Sequence, residues 1–216
     1  MDVRSGFLGA YFHQGMEHPA LVQLASELSS RFSSIICGRP IHMIWAYSYD
    51  TEHNSARQHE DDSGIHLHAD PAAVNINLWI TEDEASLDLD RGGMVVYEGV
   101  PSISDNVGEL RFDQFNGDPH LSRAWVEGRQ REGALRRVAV PHRANRMVLF
   151  DSMLFHETDV MRFRKGHAKR RINLTFLFGQ VGQACVPQYF GGRGSKVENE
   201  RRKASPFVSC GAGRTC

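Results

Sequence analysis

Between residues 18 and 34 apolar side chains return every three or four positions, at Leu21, Leu24, Ala25, Leu28 and Phe32. That is one face of an α-helix, with Pro19 suited to its first turn and Gly38 with Arg39-Pro40 to its end. Beyond it the period shortens. "IHMIWAYSY" (Ile41–Tyr49) is rich in β-formers and predicts a strand, and 50–64 is a polar loop. "IHLHAD" and "VNINLWI" read as two strands separated at Pro71, "TEDEASLDLDRGG" as an acidic loop, and "MVVYEG" as a further strand. Residues 102–133 are less regular, with a short helix around 119–126. "RRVAVPH", "NRMVLFDS", "LFHETDVMRF" and "RRINLTFLFG" follow as short strands with turn residues between them. So many short strands predict a mainly β fold, an antiparallel sandwich or barrel of jelly-roll type. The first dozen residues show no clear pattern.

The two strands after the polar loop have an unusual polar face. Alternation puts His66, His68 and Asp70 on one side of the first, and Asn75, Asn77 and Trp79 on one side of the second. In "RRINLTFLFG" the same alternation aligns Arg171, Asn173 and Thr175 opposite Ile172, Leu174 and Phe176. An inward arginine costs on the order of several kcal/mol unless it meets an anion, and its planar fork of donors suits a carboxylate.

Composition narrows the class. The chain has 216 residues, 41% hydrophobic and 24% charged, with a formal net charge of −1. This predicts one soluble domain over 1–190 and no field that draws nucleic acid. Residues 191–216 are Gly-rich and basic, expected to form a flexible tail. No membrane-spanning run and no secretory signal is evident, and the four cysteines lack CxxC spacing. Reduced thiols and a cytoplasmic location are the expectation. Oligomeric state is not legible.

A His-X-Asp triplet means little alone, and the chain holds two. His59-Glu60-Asp61 lies in the polar loop with no strand to orient it. His68-Ala69-Asp70 ends a strand, and "NRMVLFDSMLFHET" places His156 after a turn at the head of a later one. Two imidazoles and a carboxylate on one face of an ion favour non-haem Fe(II) over zinc.

"HAD", "VNINLWI", "GGMVVY", "NRMVLFDSMLFHE" and "RRINLTFLFG", in that order over residues 44–179, resemble the Fe(II)/2-oxoglutarate-dependent oxygenases. The resemblance implies a double-stranded β-helix (jelly-roll) core, on which the N-terminal helix would pack. It implies iron ligands at His68, Asp70 and His156. Arg171 and Thr175 would hold the far carboxylate of 2-oxoglutarate, with Asn75, Asn77 and Trp79 lining its pocket. The activity implied is hydroxylation of a C–H bond with O2, releasing succinate and CO2. Asp70 disfavours halogenation, since halogenating members carry a small residue there.

Alternatives stay open. The substrate is read as a small molecule, but a peptide or protein side chain, or a non-catalytic metal-binding jelly-roll, fits the same residues. Substrate contacts would come from residues 55–63 and 102–133. His66 is either a pocket residue or a wall histidine. The cupin reading of His66-Leu67-His68 lacks its glutamate. Tyr47, Tyr49 and Tyr97 are either ligand donors or strand-core aromatics. Asp151-Ser152 shapes the turn before His156. The acidic residues Glu82, Asp83, Glu84, Asp88 and Asp90 lack calcium-loop spacing. His120, His142 and His167 read as surface residues, and Arg170 as the rival that strand parity rejects.

Overall fold

The computed structural model describes residues 2–4, 7–49, 64–99, 118–183, 185 and 207–210. Among the described residues, ten strands form two antiparallel sheets. The larger follows the order β1-β2-β3-β9-β4-β7-β10: β1 (Asp2–Arg4), β2 (Phe7–Tyr11), β3 (Ile41–Tyr49), β4 (Val74–Trp79), β7 (Met147–Asp151), β9 (Arg171–Phe178) and β10 (Phe207–Cys210). The smaller is β6-β5-β8, from β5 (Met94–Glu98), β6 (Arg136–Val140) and β8 (His156–Thr158).

Side-chain alternation explains the layers. Even-numbered residues of β3, β4 and β9 (Ile44, Val74, Ile76, Phe176 and Phe178), with Leu149 of β7, turn outward. They pack against α1 (Pro19–Arg31) and α2 (Ser33–Ile36) through Ala25, Leu28 and Ile36. Trp79, Val148 and Phe150 turn inward and meet Met94, Val96 and Val140 of the smaller sheet. That sheet's far side, Val95 and Tyr97, is covered by Val126 of α3 (Pro119–Arg131). The class is thus mainly β, with helices outside two facing antiparallel sheets.

Most predicted strands are present, with four differences. "IHLHAD" is not a strand: His68 alone forms a bridge, to His156, because β8 offers only three residues to pair with. The helix expected around 119–126 runs to Arg131, with Asp118 capping the amides of His120 and Leu121. Residues 2–4 and 7–11, without pattern in the sequence, pair as strands beside β3. In the tail, Phe207–Cys210 pairs with β7 instead of hanging free, since β7 would otherwise present an unpaired edge. The polar loop with His59 and residues 102–117 lie outside the described residues.

Cysteine chemistry also differs. Cys37 and Cys185 form a disulfide across 148 residues, their Cα atoms 5.3 Å apart. Reduced thiols were the expectation because no short spacing links these positions; the fold alone brings them together. The cytoplasmic expectation loses that support. Among the described residues, no helix is long and apolar enough to cross a membrane.

Candidate metal and anion site

Two backbone bonds fasten the distant histidines to each other. The His68 amide donates to the His156 carbonyl (3.0 Å) and the His156 amide to the His68 carbonyl (2.8 Å). Residues so paired project their side chains to the same face, and the two rings stand 4.3 Å apart, centroid to centroid. Asp70 is placed by its amide bond to the Ser152 carbonyl (3.0 Å), and the turn is tied back by Ser152 to the Ala73 carbonyl (3.3 Å). The segment that failed to become a strand is therefore laced to the turn before β8.

Ring orientation follows from the second nitrogens. His68 Nδ1 lies 2.7 Å from the His66 carbonyl and His156 Nδ1 lies 2.9 Å from the Leu154 carbonyl. Carbonyls only accept, so both Nδ1 atoms carry hydrogen and both Nε2 lone pairs are free to face Asp70. His156 Nε2 is 3.3 Å from Asp70 Oδ2, and His68 Nε2 is 3.6 Å from Asp70 Oδ1. One ligand atom from each residue lies within 4.8 Å of the others. Acceptors converging at that range repel unless a proton or a cation sits between them. Burial, reinforced by His156, pushes His68 down to about 4, which favours its neutral, ligating form. Burial alone would raise the Asp70 carboxyl, but His156 and His68, when protonated, and the Asn75 amide hold it below its ordinary value.

Arg171 is 2% exposed, on the inner face of β9. Its Nε donates to the Gly92 carbonyl (2.6 Å), one terminal nitrogen to the Gly93 carbonyl (2.9 Å) and the other to Asn173 Oδ1 (3.2 Å). The guanidinium lies 4.7 Å from the Tyr49 ring centre and 5.6 Å from that of Trp79. These three bonds use three of its five N–H groups, all on uncharged oxygens. No carboxylate stands within salt-bridge distance among the described residues. Burial pushes its pKa below the ordinary value, against the smaller opposing pulls of the Tyr49 hydroxyl and the Asp159 carboxylate.

One chain of amides joins the two charged centres. Arg171 donates to Asn173, Asn173 Nδ2 to Asn77 Oδ1 (3.1 Å), Asn77 Nδ2 to Asn75 Oδ1 (2.7 Å), and Asn75 Nδ2 to Asp70 Oδ2 (2.6 Å). Thr175 Oγ1 also donates to Asn77 Oδ1 (3.1 Å). Every link points its donor toward the carboxylate, so the amide dipoles align between cation and anion.

His68, Asp70, His156, Arg171, Thr175 and Asn77 line a single cavity of about 310 Å³. Two expected lining residues do not. Asn75 is fully buried behind Asp70, and Trp79 is a core residue packed beneath Arg171. His66 is exposed and contributes its carbonyl. Arg170 is half-buried, whereas Arg171 faces inward. His120 and His167 are exposed, but His142 is a correction: it is fully buried against Trp79 and Phe163. The inward parity of Val138 and Val140 continues to it past the strand end, a signal present in the sequence. Sequence reading also missed Gly92 and Gly93, because a backbone carbonyl has no residue-type signature. A Cβ on Gly93 would sit 1.9 Å from the Val140 carbonyl oxygen, so only glycine brings its own carbonyl to Arg171 here. A larger groove of about 1310 Å³ lies between α1 and the start of β3 and contains none of the triad.

No protein-family model and no curated protein matches the chain. Among solved structures it is similar to HygX from Streptomyces hygroscopicus with nickel and 2-oxoglutarate bound. The identity is 13%, with 94% of this chain and 92% of that chain covered, at a TM-score of 0.40.

Proposed function

We propose that this chain is an Fe(II)- and 2-oxoglutarate-dependent oxygenase that hydroxylates a C–H bond of a small molecule, on a double-stranded β-helix scaffold. One observation carries the reading: a two-histidine, one-carboxylate triad and an un-neutralised buried guanidinium open into the same cavity. The donor set fits a divalent ion, since both Nε2 lone pairs and the carboxylate converge while both Nδ1 hydrogens are already placed. Three protein ligands on one face leave positions for a bidentate keto acid and O2.

In this reading His68, Asp70 and His156 hold the iron, and Arg171 receives the distal carboxylate of 2-oxoglutarate through its terminal N–H groups. Thr175 borders that carboxylate. The Gly92 and Gly93 carbonyls and the Tyr49 ring hold the guanidinium in place, so it is ordered before the anion arrives. Asn75 keeps the Asp70 carboxylate oriented and ionised. When bound, the iron supplies O2 activation coupled to loss of CO2 from 2-oxoglutarate. The buried inner faces exclude water from that reaction.

The test is succinate formation from 2-oxoglutarate by the purified chain with Fe(II), including the slow turnover without substrate. His156→Ala is expected to abolish it, and to remove Ni(II) binding measured by calorimetry. Wild-type turnover in that variant, or no turnover in the wild type despite tight Ni(II) and 2-oxoglutarate binding, overturns the oxygenase reading. The second result would leave a metal-binding module.

A further inference from the structure

Beside the polar lane of β9 runs a lane of rings, and it bears on the substrate. The strand registers place Tyr49 opposite Arg171, Tyr47 opposite Asn173 and Trp45 opposite Thr175. The next strand adds Phe7 opposite Tyr49 and Tyr11 opposite Trp45. Directly paired residues share a face, so all five rings stand on the face of Arg171. They contact one another edge-on: Phe7–Tyr47 at 5.2 Å and 82°, Tyr11–Tyr47 at 6.5 Å and 86°. All five line the cavity of the triad.

An inward aromatic stripe is commonly plain core. Here Phe7, Tyr11 and Tyr47 stay partly exposed, while the smaller sheet packs over Trp79, Val148 and Phe150 instead. Tyr49 is anchored in a small core with Ala85, Met161 and Phe163, and Trp45 in another with Ala72 and Leu177, while the three partly exposed rings border the open space.

The charges around that space are engaged. Among the described lining residues, Asp70 belongs to the triad, and Arg171 is assigned to 2-oxoglutarate in the reading above. The Glu157 carboxylate pairs with Arg123 and accepts from Tyr97 Oη (2.7 Å). Among the described lining residues no formal charge remains to meet a charged substrate.

We propose that the substrate is an uncharged small molecule carrying an aromatic ring, seated against Tyr11, Trp45 and Tyr47 with an adjoining C–H bond turned toward the triad. This rests on the oxygenase reading. A cavity of about 310 Å³ is at the small end of the roughly 300–1,000 Å³ usual for ligand sites. Shared with a five-carbon diacid, it holds one ring system. The reaction balances as C–H to C–OH with one atom of O2, the other entering succinate as CO2 leaves 2-oxoglutarate. Two electrons come from the substrate bond and two from 2-oxoglutarate, together reducing O2.

The experiment uses the full chain saturated with Ni(II) and 2-oxoglutarate, whose own binding is first measured by calorimetry. It is then titrated by NMR with benzyl alcohol, cyclohexylmethanol (the same skeleton, saturated) and benzoate (the aromatic ring with a charge). Benzyl alcohol is expected to bind about two- to tenfold more tightly than cyclohexylmethanol, the worth of an aromatic pair beyond its area, and more tightly than benzoate, whose charge would be buried without a partner. Tyr47→Leu removes that preference and Tyr47→Phe keeps it; should Tyr47→Leu fail to fold, the partly exposed Tyr11→Leu serves. Equal binding of the three probes, a preference for benzoate, or an unchanged preference in the leucine variant overturns the proposal. If 2-oxoglutarate does not bind, the oxygenase reading falls instead. The two uncharged probes still decide the aromatic preference, because neither competes for Arg171.

Discussion

Arg171 is a buried cation held by three uncharged oxygens, and two opposed costs meet in it. Removing the charge relieves a desolvation penalty of about 1–4 kcal/mol. It also strips donors from the Gly92 and Gly93 carbonyls, at roughly 1–3 kcal/mol for each buried orphan. From the centres of these ranges, Arg171→Met should therefore lower the unliganded stability by about 1–2 kcal/mol. It should weaken 2-oxoglutarate binding about 100-fold or more, since charge-assisted bonds are worth roughly 1.5–3 kcal/mol each. Thermal unfolding with Ni(II), with and without 2-oxoglutarate, reads both quantities; a full ligand-induced shift in the variant would refute the role. His142, buried beside this arginine, behaves differently. Burial, then the Arg171 charge, lowers it from an ordinary 6.5 to about 4. The unfolded chain takes up a proton as pH falls through 6.5, while the folded protein resists until about 4. Its contribution to stability is complete above 6.5 and is lost as pH falls across that window. Among the described residues both ring nitrogens find no hydrogen-bond partner, so His142→Leu sacrifices no hydrogen bond to them. The variant's urea midpoint should fall less than the wild type's between pH 7.5 and pH 5, and parallel falls would count against it.

Among the elements, β3, β4, β5 and β9 were legible because each buries both faces or alternates cleanly. The misread element shows what alternation lacks. "IHLHAD" has the period of a strand, yet strand identity needs a ladder, and His68 finds one bridging partner. Its geometry comes from bonds to the 152–158 turn and strand, which no local pattern encodes. The disulfide is a similar case. Cys37 follows α2, where its backbone is left-handed at φ 55°, and Cys185 follows β9. Closing a 148-residue separation restricts the unfolded chain strongly, so Cys37→Ser should cost about 2–5 kcal/mol. Urea unfolding with and without reductant checks this: the wild type loses stability on reduction and the variant is indifferent. Arg39 beside it donates through Nε to the Gln183 carbonyl (3.0 Å), a second tie across the same junction that survives reduction.

Four layers, helix, large sheet, small sheet and helix, leave the inner faces of the sheets as the place where charged groups are kept from water. The larger core between them lies on the β4–β7 side, where Trp79, Val148 and Phe150 meet Met94, Val96 and Val140, with a smaller one where Tyr49 meets Ala85, Met161 and Phe163. Toward β2 and β3 it gives way to the ring-walled cavity. At the opposite border β10 covers β7, pairing Phe207 with Phe150 and Cys210 with Met147. Deleting residues 191–216 should uncover that edge and promote association, seen as a concentration-dependent increase in mass by light scattering. A deletion that stays monodisperse with unchanged stability would show β10 to be dispensable.

The order of residue types along the chain was enough to specify strands with a polar inner lane, to single out His68, Asp70, His156 and Arg171, and to prefer Arg171 over Arg170. These follow from a two-residue period and from the cost of burying charge, both local properties of sequence. Folding alone determined that Asn75 supports the carboxylate, that Trp79 lies under the arginine, and that two glycine carbonyls hold the guanidinium. It likewise buried His142 and joined Cys37 to Cys185. Each of these depends on which distant segment arrives at a given distance, and that is set by packing between layers.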